Sequence, residues 1–137
     1  MSISISARIK RKCVTLELLK KAMSEFFLVQ VMDSREKNCI LLEMSGKDNM
    51  FIVYFVNEKT SYNIYDSQIM DSEYVYVQQI IFDISKSEAT SETYCAIIRF
   101  LIFLKGKIDS EMLIDSDIHG DICYLNQDDI IWSETFL

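Results

Sequence analysis

The chain has 137 residues, half of them apolar and 12% aromatic, which excludes intrinsic disorder and allows one core to form without disulfide or metal staples. Proline is absent and glycine occurs three times, so turns fall to Asn, Asp, Ser and Lys, and residues 1–137 are expected to fold as a single domain with no flexible linker. The net charge of −7 is uneven: residues 1–60 carry ten Lys/Arg against seven Asp/Glu, residues 61–137 four against fourteen, and residues 109–137 eight acids and no base. That balance argues against nucleic acid as a partner, because a phosphate backbone would repel it.

Residues 2–9 alternate, with Ile3, Ile5, Ala7 and Ile9 on one side, as a half-buried strand does. Thr15 is placed to cap a helix over about 15–25, in which Leu16, Leu19, Met23 and Phe26 form one stripe. Short β-rich runs follow at 27–32, 39–45, 50–57 and 61–65, with polar turns at 33–38, 46–49 and 58–59. A longer β-branched run covers 74–84. This even spacing predicts an antiparallel meander of four or five strands rather than parallel crossovers. Ser87 is the expected cap of a second helix, about 88–105, that stops at Gly106. With Cys95, Ile97, Ile98, Phe100, Leu101, Ile102, Phe103 and Leu104 apolar nearly all round, it should lie buried across the sheet. The chain ends in short strands at 112–118, 121–125 and 130–135, with His119-Gly120 as a two-residue hairpin turn. A mainly antiparallel sheet packed by two helices is an α+β fold.

The four cysteines, Cys13, Cys39, Cys95 and Cys123, form no Cys-x-x-Cys pair and sit in apolar patterns, which predicts buried, reduced thiols. Residues 1–12 hold no signal-like apolar stretch, and the apolar run at 96–104 contains Arg99 and is too short to span a bilayer; a cytoplasmic protein is expected. Residues 115–122 resemble the opening of an EF-hand calcium loop, but His119 occupies its fifth position and Asn126 its twelfth, where a bidentate carboxylate belongs. His119, the only histidine, has Asp117 and Asp121 nearby but no nucleophile elbow to serve. Asp128 and Asp129 are adjacent rather than opposed across a cleft, and three scattered glycines build no phosphate loop. No catalytic residue, metal or other cofactor is therefore expected. The basic residues Arg8, Lys10, Arg11, Lys12, Lys20 and Lys21 suit a solvated strand end, or a patch facing the protein's own acidic end.

That acidic end is the candidate site. Asp109, Glu111, Asp115, Asp117, Asp121, Asp128, Asp129 and Glu134 are interleaved with apolar residues that include Tyr124 and Trp132. One account is a half-buried sheet edge whose charges discourage edge pairing. The other is an acidic face that meets a basic protein, with Tyr124 and Trp132 as anchors.

With this acidic segment, the chain resembles in overall profile the small acidic bacterial immunity proteins of contact-dependent inhibition and related toxin systems. The resemblance implies a non-catalytic toxin inhibitor that binds a basic toxin domain, often a nuclease, and covers its active site. Monomer and homodimer both stay open. The profile is also similar to that of type III secretion chaperones, which are homodimers that wrap an unfolded effector segment. A third alternative is a small metal-binding protein or enzyme that uses the loop at 115–121.

Overall fold

A computed structural model describes residues 2–27, 31–33, 39–43, 50–57, 63–85 and 90–134. In chain order these form β1 (Ser2–Ile9), α1 (Leu16–Phe27), β2 (Val31–Asp33), β3 (Cys39–Glu43), β4 (Met50–Asn57), β5 (Asn63–Ser67), β6 (Ser72–Tyr76) and β7 (Gln78–Ser85). Then come α2 (Ser91–Lys105), β8 (Met112–Ser116), β9 (Gly120–Leu125) and β10 (Ile130–Trp132). The class is α+β, as the element pattern predicts. Of the turn expected at 33–38, Asp33 is the last residue of β2; the rest of it and the turns expected at 46–49 and 58–59 fall outside the described residues.

Eight strands make one antiparallel sheet in the order β10-β9-β8-β1-β7-β4-β3-β2. This corrects the expected meander in two places. First, β1 is central: one of its edges pairs with β7, Ile5 opposite Phe82, and the other with β8, Ile5 opposite Ser116. Second, the run expected as one strand over 74–84 is divided at Val77, whose amide bonds to the carbonyl of Ile9 at 2.9 Å. The first part, β6, leaves the sheet to form a separate hairpin with β5.

One face of the sheet carries the main core. Ile5, Ala7 and Ile9 from β1, Ile80, Phe82 and Ile84 from β7 and Met112 and Ile114 from β8 alternate onto it. The stripe Leu19, Ala22 and Met23 of α1 and the residues Ile97, Phe100, Leu101 and Leu104 of α2 pack against them. Burying one such side chain stabilises by roughly 1.5–3 kcal/mol. Where the helices meet, Phe26, Phe27, Phe82, Phe100 and Phe103 stack with centroids 5.1–5.9 Å apart. Each helix starts on a threonine hydroxyl: Thr15 accepts from the amide of Leu18 at 3.1 Å, and Thr90 from that of Thr93 at 3.3 Å. The second cap is thus three residues beyond the expected Ser87. Gly106 does end α2, but with a right-handed φ of −66°.

Gln78, the first residue of β7, pins the segment between β1 and α1. Its buried carboxamide accepts from the amides of Cys13 and Val14, at 3.1 and 3.0 Å, and donates to the carbonyl of Val14 at 2.8 Å. The cysteines are unlike one another. Cys123 is buried, Cys13 half-buried and Cys95 exposed, so the expectation of uniform burial fails at Cys95, which lies on the outer side of α2. The Cys39 side chain lies outside what the structure describes. Among the described residues no helix is long and apolar enough to cross a membrane.

Candidate functional site

The acidic residues of the last third divide into an internal set and an external set. A β-bulge creates the division. From Leu125 to Cys123 the β9 residues face those of β8 in one register, and at Asp121 the register shifts by one. Ile122 and Cys123 both join the core beneath the helices, and Asp121 turns to the opposite face, alongside Asp115. Simple alternation would have driven Asp121 into the apolar core with Cys123 and Leu125.

On that opposite face the β5–β6 hairpin closes over both carboxylates. Asp121 is 2% exposed and accepts from the Tyr65 hydroxyl at 2.6 Å, the Ser67 hydroxyl at 2.7 Å and the amide of Ile69 at 3.0 Å. Burial pushes its carboxyl up, but these donors together outweigh burial and hold it below the ordinary carboxylate range. Asp115 is gripped by Arg8, Nε to Oδ1 at 2.9 Å and Nη2 to Oδ2 at 3.3 Å. Burial raises the Asp115 carboxyl, and the guanidinium offsets only part of that rise. Arg8 in turn lies against the rings of Tyr65 and Tyr76, 4.3 and 4.8 Å from their centroids. Tyr124 belongs to the same layer, buried with Tyr74 and Leu113. Asp115, Asp121 and Tyr124 are therefore removed from the candidate binding face, because their polar and apolar contacts are internal.

Two more acids face the basic N-terminal segment. Glu111 pairs with Lys10 at 3.2 Å and Asp109 with Arg11 at 3.5 Å. These pairs are exposed and contribute little to stability. Together with Lys105, Tyr124 and the 126–129 turn, Arg11, Asp109 and Glu111 line a groove of about 480 Å³ that carries both signs of charge.

The remaining acids point outward. Asp117 lies in the β8–β9 turn, where its carboxylate accepts the amide of Ser4 at 3.1 Å. That turn has three residues, 117–119, and not the expected two. Ser116 Oγ accepts the amides of Ile118 and His119 at 3.1 and 3.0 Å, and Gly120 opens β9 with a φ of +70°, a conformation that favours glycine. Asp128 and Asp129 form the β9–β10 turn, their amides held by Asn126 Oδ1 at 3.2 and 2.8 Å. Glu134 follows β10. Asp128, Asp129 and Glu134 are exposed and form no ion pair with any described residue. Trp132 is half-buried against the helix-side core, which makes it more a core residue than an exposed anchor.

His119 is exposed in its turn, its ring edge-on to Tyr94 at 5.7 Å. The Cys123 thiol, pushed up to about 12 by burial, stays protonated in the core. Among the described residues, no three His, Cys, Asp or Glu side chains group as they would around a metal ion. The basic patch expected to face the acidic end does so through Arg8, Lys10 and Arg11, but the sequence did not place Tyr65 and Ser67 among the partners of the acids, nor Arg8 on the buried side with them. The one available signal was β1 alternation, which places Arg8 opposite the face of Ile5, Ala7 and Ile9. Comparison with protein-family models, curated proteins and solved structures finds no match to this chain.

Proposed function

We propose that this chain is a non-catalytic inhibitor that binds a basic partner domain, in the manner of an immunity protein that neutralises a toxin. The observation that carries the proposal is the free set of carboxylates around β10. Asp128, Asp129 and Glu134 stand exposed without a cationic partner among the described residues, while every nearby acid within reach of a base is already paired. Carboxylates held in no ion pair raise encounter rates with a basic surface and reject acidic ones. The chaperone-like alternative has less support. It calls for an open apolar groove, whereas the large exposed apolar residues among those described are Ile64, Met70, Ile118, Ile130 and Ile131, spread over the β5–β6 hairpin, the β8–β9 turn and β10.

The test starts from the partner, cross-linked to the protein in cells that make both and then purified. Asp128→Lys/Asp129→Lys/Glu134→Lys should weaken its binding at least tenfold and flatten the dependence of affinity on salt between about 50 and 300 mM, the range over which screening becomes strong. Unchanged affinity and salt dependence would refute the proposal. Asp115 is left out of this variant, because reversing it would break the Arg8 pair and destabilise the fold.

A further inference from the structure

We propose that the outer edge of β10 is a strand-addition site for an extended, basic segment of a partner protein. This inference rests on the partner-binding reading above and specifies how the partner is held.

β10 is the last strand of the sheet, and no described strand pairs with its far side. The ladder to β9 runs further than the three assigned residues. The amide of Asn126 bonds to the carbonyl of Asp129 at 3.2 Å, and the amide of Ser133 to the carbonyl of Ile122 at 2.9 Å. In an antiparallel pair the bonded positions alternate, so Asp129, Ile131 and Ser133 aim their backbone groups at β9. Ile130 therefore directs its amide and carbonyl away from β9, toward the edge that no described strand covers.

The side chains at this edge are not those of a protected one. Ile130 is 42% exposed and Ile131 45% exposed, on opposite faces of the strand. Each borders a concavity. On the helix side, Ile130 lines a pocket of about 210 Å³ with Ile102 and Gly106. On the hairpin side, Ile131 lines one of about 410 Å³ with Gln68 and Ile69. An added strand projects alternate side chains to the two faces of a sheet, so one pocket on each face of the edge is the arrangement that receives them.

Charge decides the occupant. Asp128 and Asp129 stand at one end of the edge and Glu134 at the other, so a strand with Lys or Arg near its ends is attracted. A second copy of this chain is not. Antiparallel self-pairing centred on Ile131 would set Asp128 of each copy opposite Glu134 of the other, which is a like-charge juxtaposition.

Trp132, the chain's sole tryptophan, sits within β10 and serves as the reporter. The probe is a decapeptide of alternating Lys and Val. Titration should give a saturable change in Trp132 fluorescence and slow the exchange of the Ile130 amide. Methylating all the backbone nitrogens of the peptide should weaken binding at least tenfold, as should Ile130→Pro, since proline is tolerated on an edge when its missing N–H would face outward. Asp128→Lys/Glu134→Lys, which leaves the edge backbone intact, should weaken it similarly. A peptide with Glu in place of Lys should not bind.

Equal binding of the methylated and unmethylated peptides would overturn strand addition while leaving the acidic-surface reading standing. Equal binding of the Lys and Glu peptides would overturn the basic occupant. Absence of binding at millimolar peptide would overturn the site, as would dimers of the protein alone that Ile130→Pro disperses.

Discussion

Replacing Asp121 tests whether the internal carboxylates hold the hairpin to the sheet. Asp121→Ala removes the shared acceptor of the Tyr65 hydroxyl, the Ser67 hydroxyl and the Ile69 amide. A hydrogen bond to a charged group contributes about 1.5–3 kcal/mol, but three bonds to one carboxylate are not additive and a loosened hairpin can rehydrate its donors. The expected loss is about 3–5 kcal/mol, the range for breaking a buried charged network by removing one partner. Asp121→Asn keeps one acceptor oxygen and turns an NH2 toward existing donors, so it should lose roughly 2–3 kcal/mol. Urea unfolding followed by Trp132 fluorescence, with linear extrapolation to water, measures both. The pH dependence supplies an independent sign. The folded carboxyl of Asp121 is held below its ordinary value, so its contribution is complete above the unfolded value near about 3.9 and disappears as pH falls through the lower folded value. Wild-type and Asp121→Asn stabilities should therefore differ most at neutral pH and converge on acidification. The reasoning fails if Asp121→Ala costs under about 1 kcal/mol at neutral pH and leaves the Ile69 amide protected from exchange.

Arg8 should not tolerate lysine. Arg8→Lys keeps the charge but loses the fork on Asp115 and the stacking on Tyr65 and Tyr76, for about 1–3 kcal/mol, whereas Arg8→Ala strands a buried carboxylate for about 3–5 kcal/mol; calorimetric Tm values rank the two. Tyr74 and Tyr65 should respond oppositely to phenylalanine. The Tyr74 hydroxyl is buried without a hydrogen-bond partner among the described residues, so Tyr74→Phe should be neutral or stabilising by up to about 1 kcal/mol, while Tyr65→Phe gives up the 2.6 Å bond to Asp121 and should lose about 1.5–3 kcal/mol in the same unfolding assay.

Local patterns carried much of this molecule. Alternation in residues 2–9 placed Ile3, Ile5, Ala7 and Ile9 on the core face, and helical spacing found both helices and the Thr15 cap. What escaped were features decided by one residue or by distant pairing. Val77 interrupts a run that looks continuous and sends β6 off the sheet, because a β-branched residue fits either side of such a break. The bulge at Ile122 inverts the facing of Asp121, and period-two reasoning assumes no extra residue. The acidic third was legible as composition but not as a surface. A charge count cannot distinguish Asp121, enclosed by three donors, from Asp128, which faces solvent. The basic segment beside it was visible too, and only the β1–β8 register shows which base meets which acid.

The central place of β1 has a consequence for how the chain assembles. Arg8 and Asp115 are partners across 107 residues of sequence, and β1 must find β7 and β8 to join the two halves of the sheet. Loop closure over such distances costs entropy before any contact repays it, so refolding should be slow for a chain of this size. During synthesis the first strand emerges long before either neighbour exists. Until β7 and β8 follow, both edges of β1 are open to wrong partners.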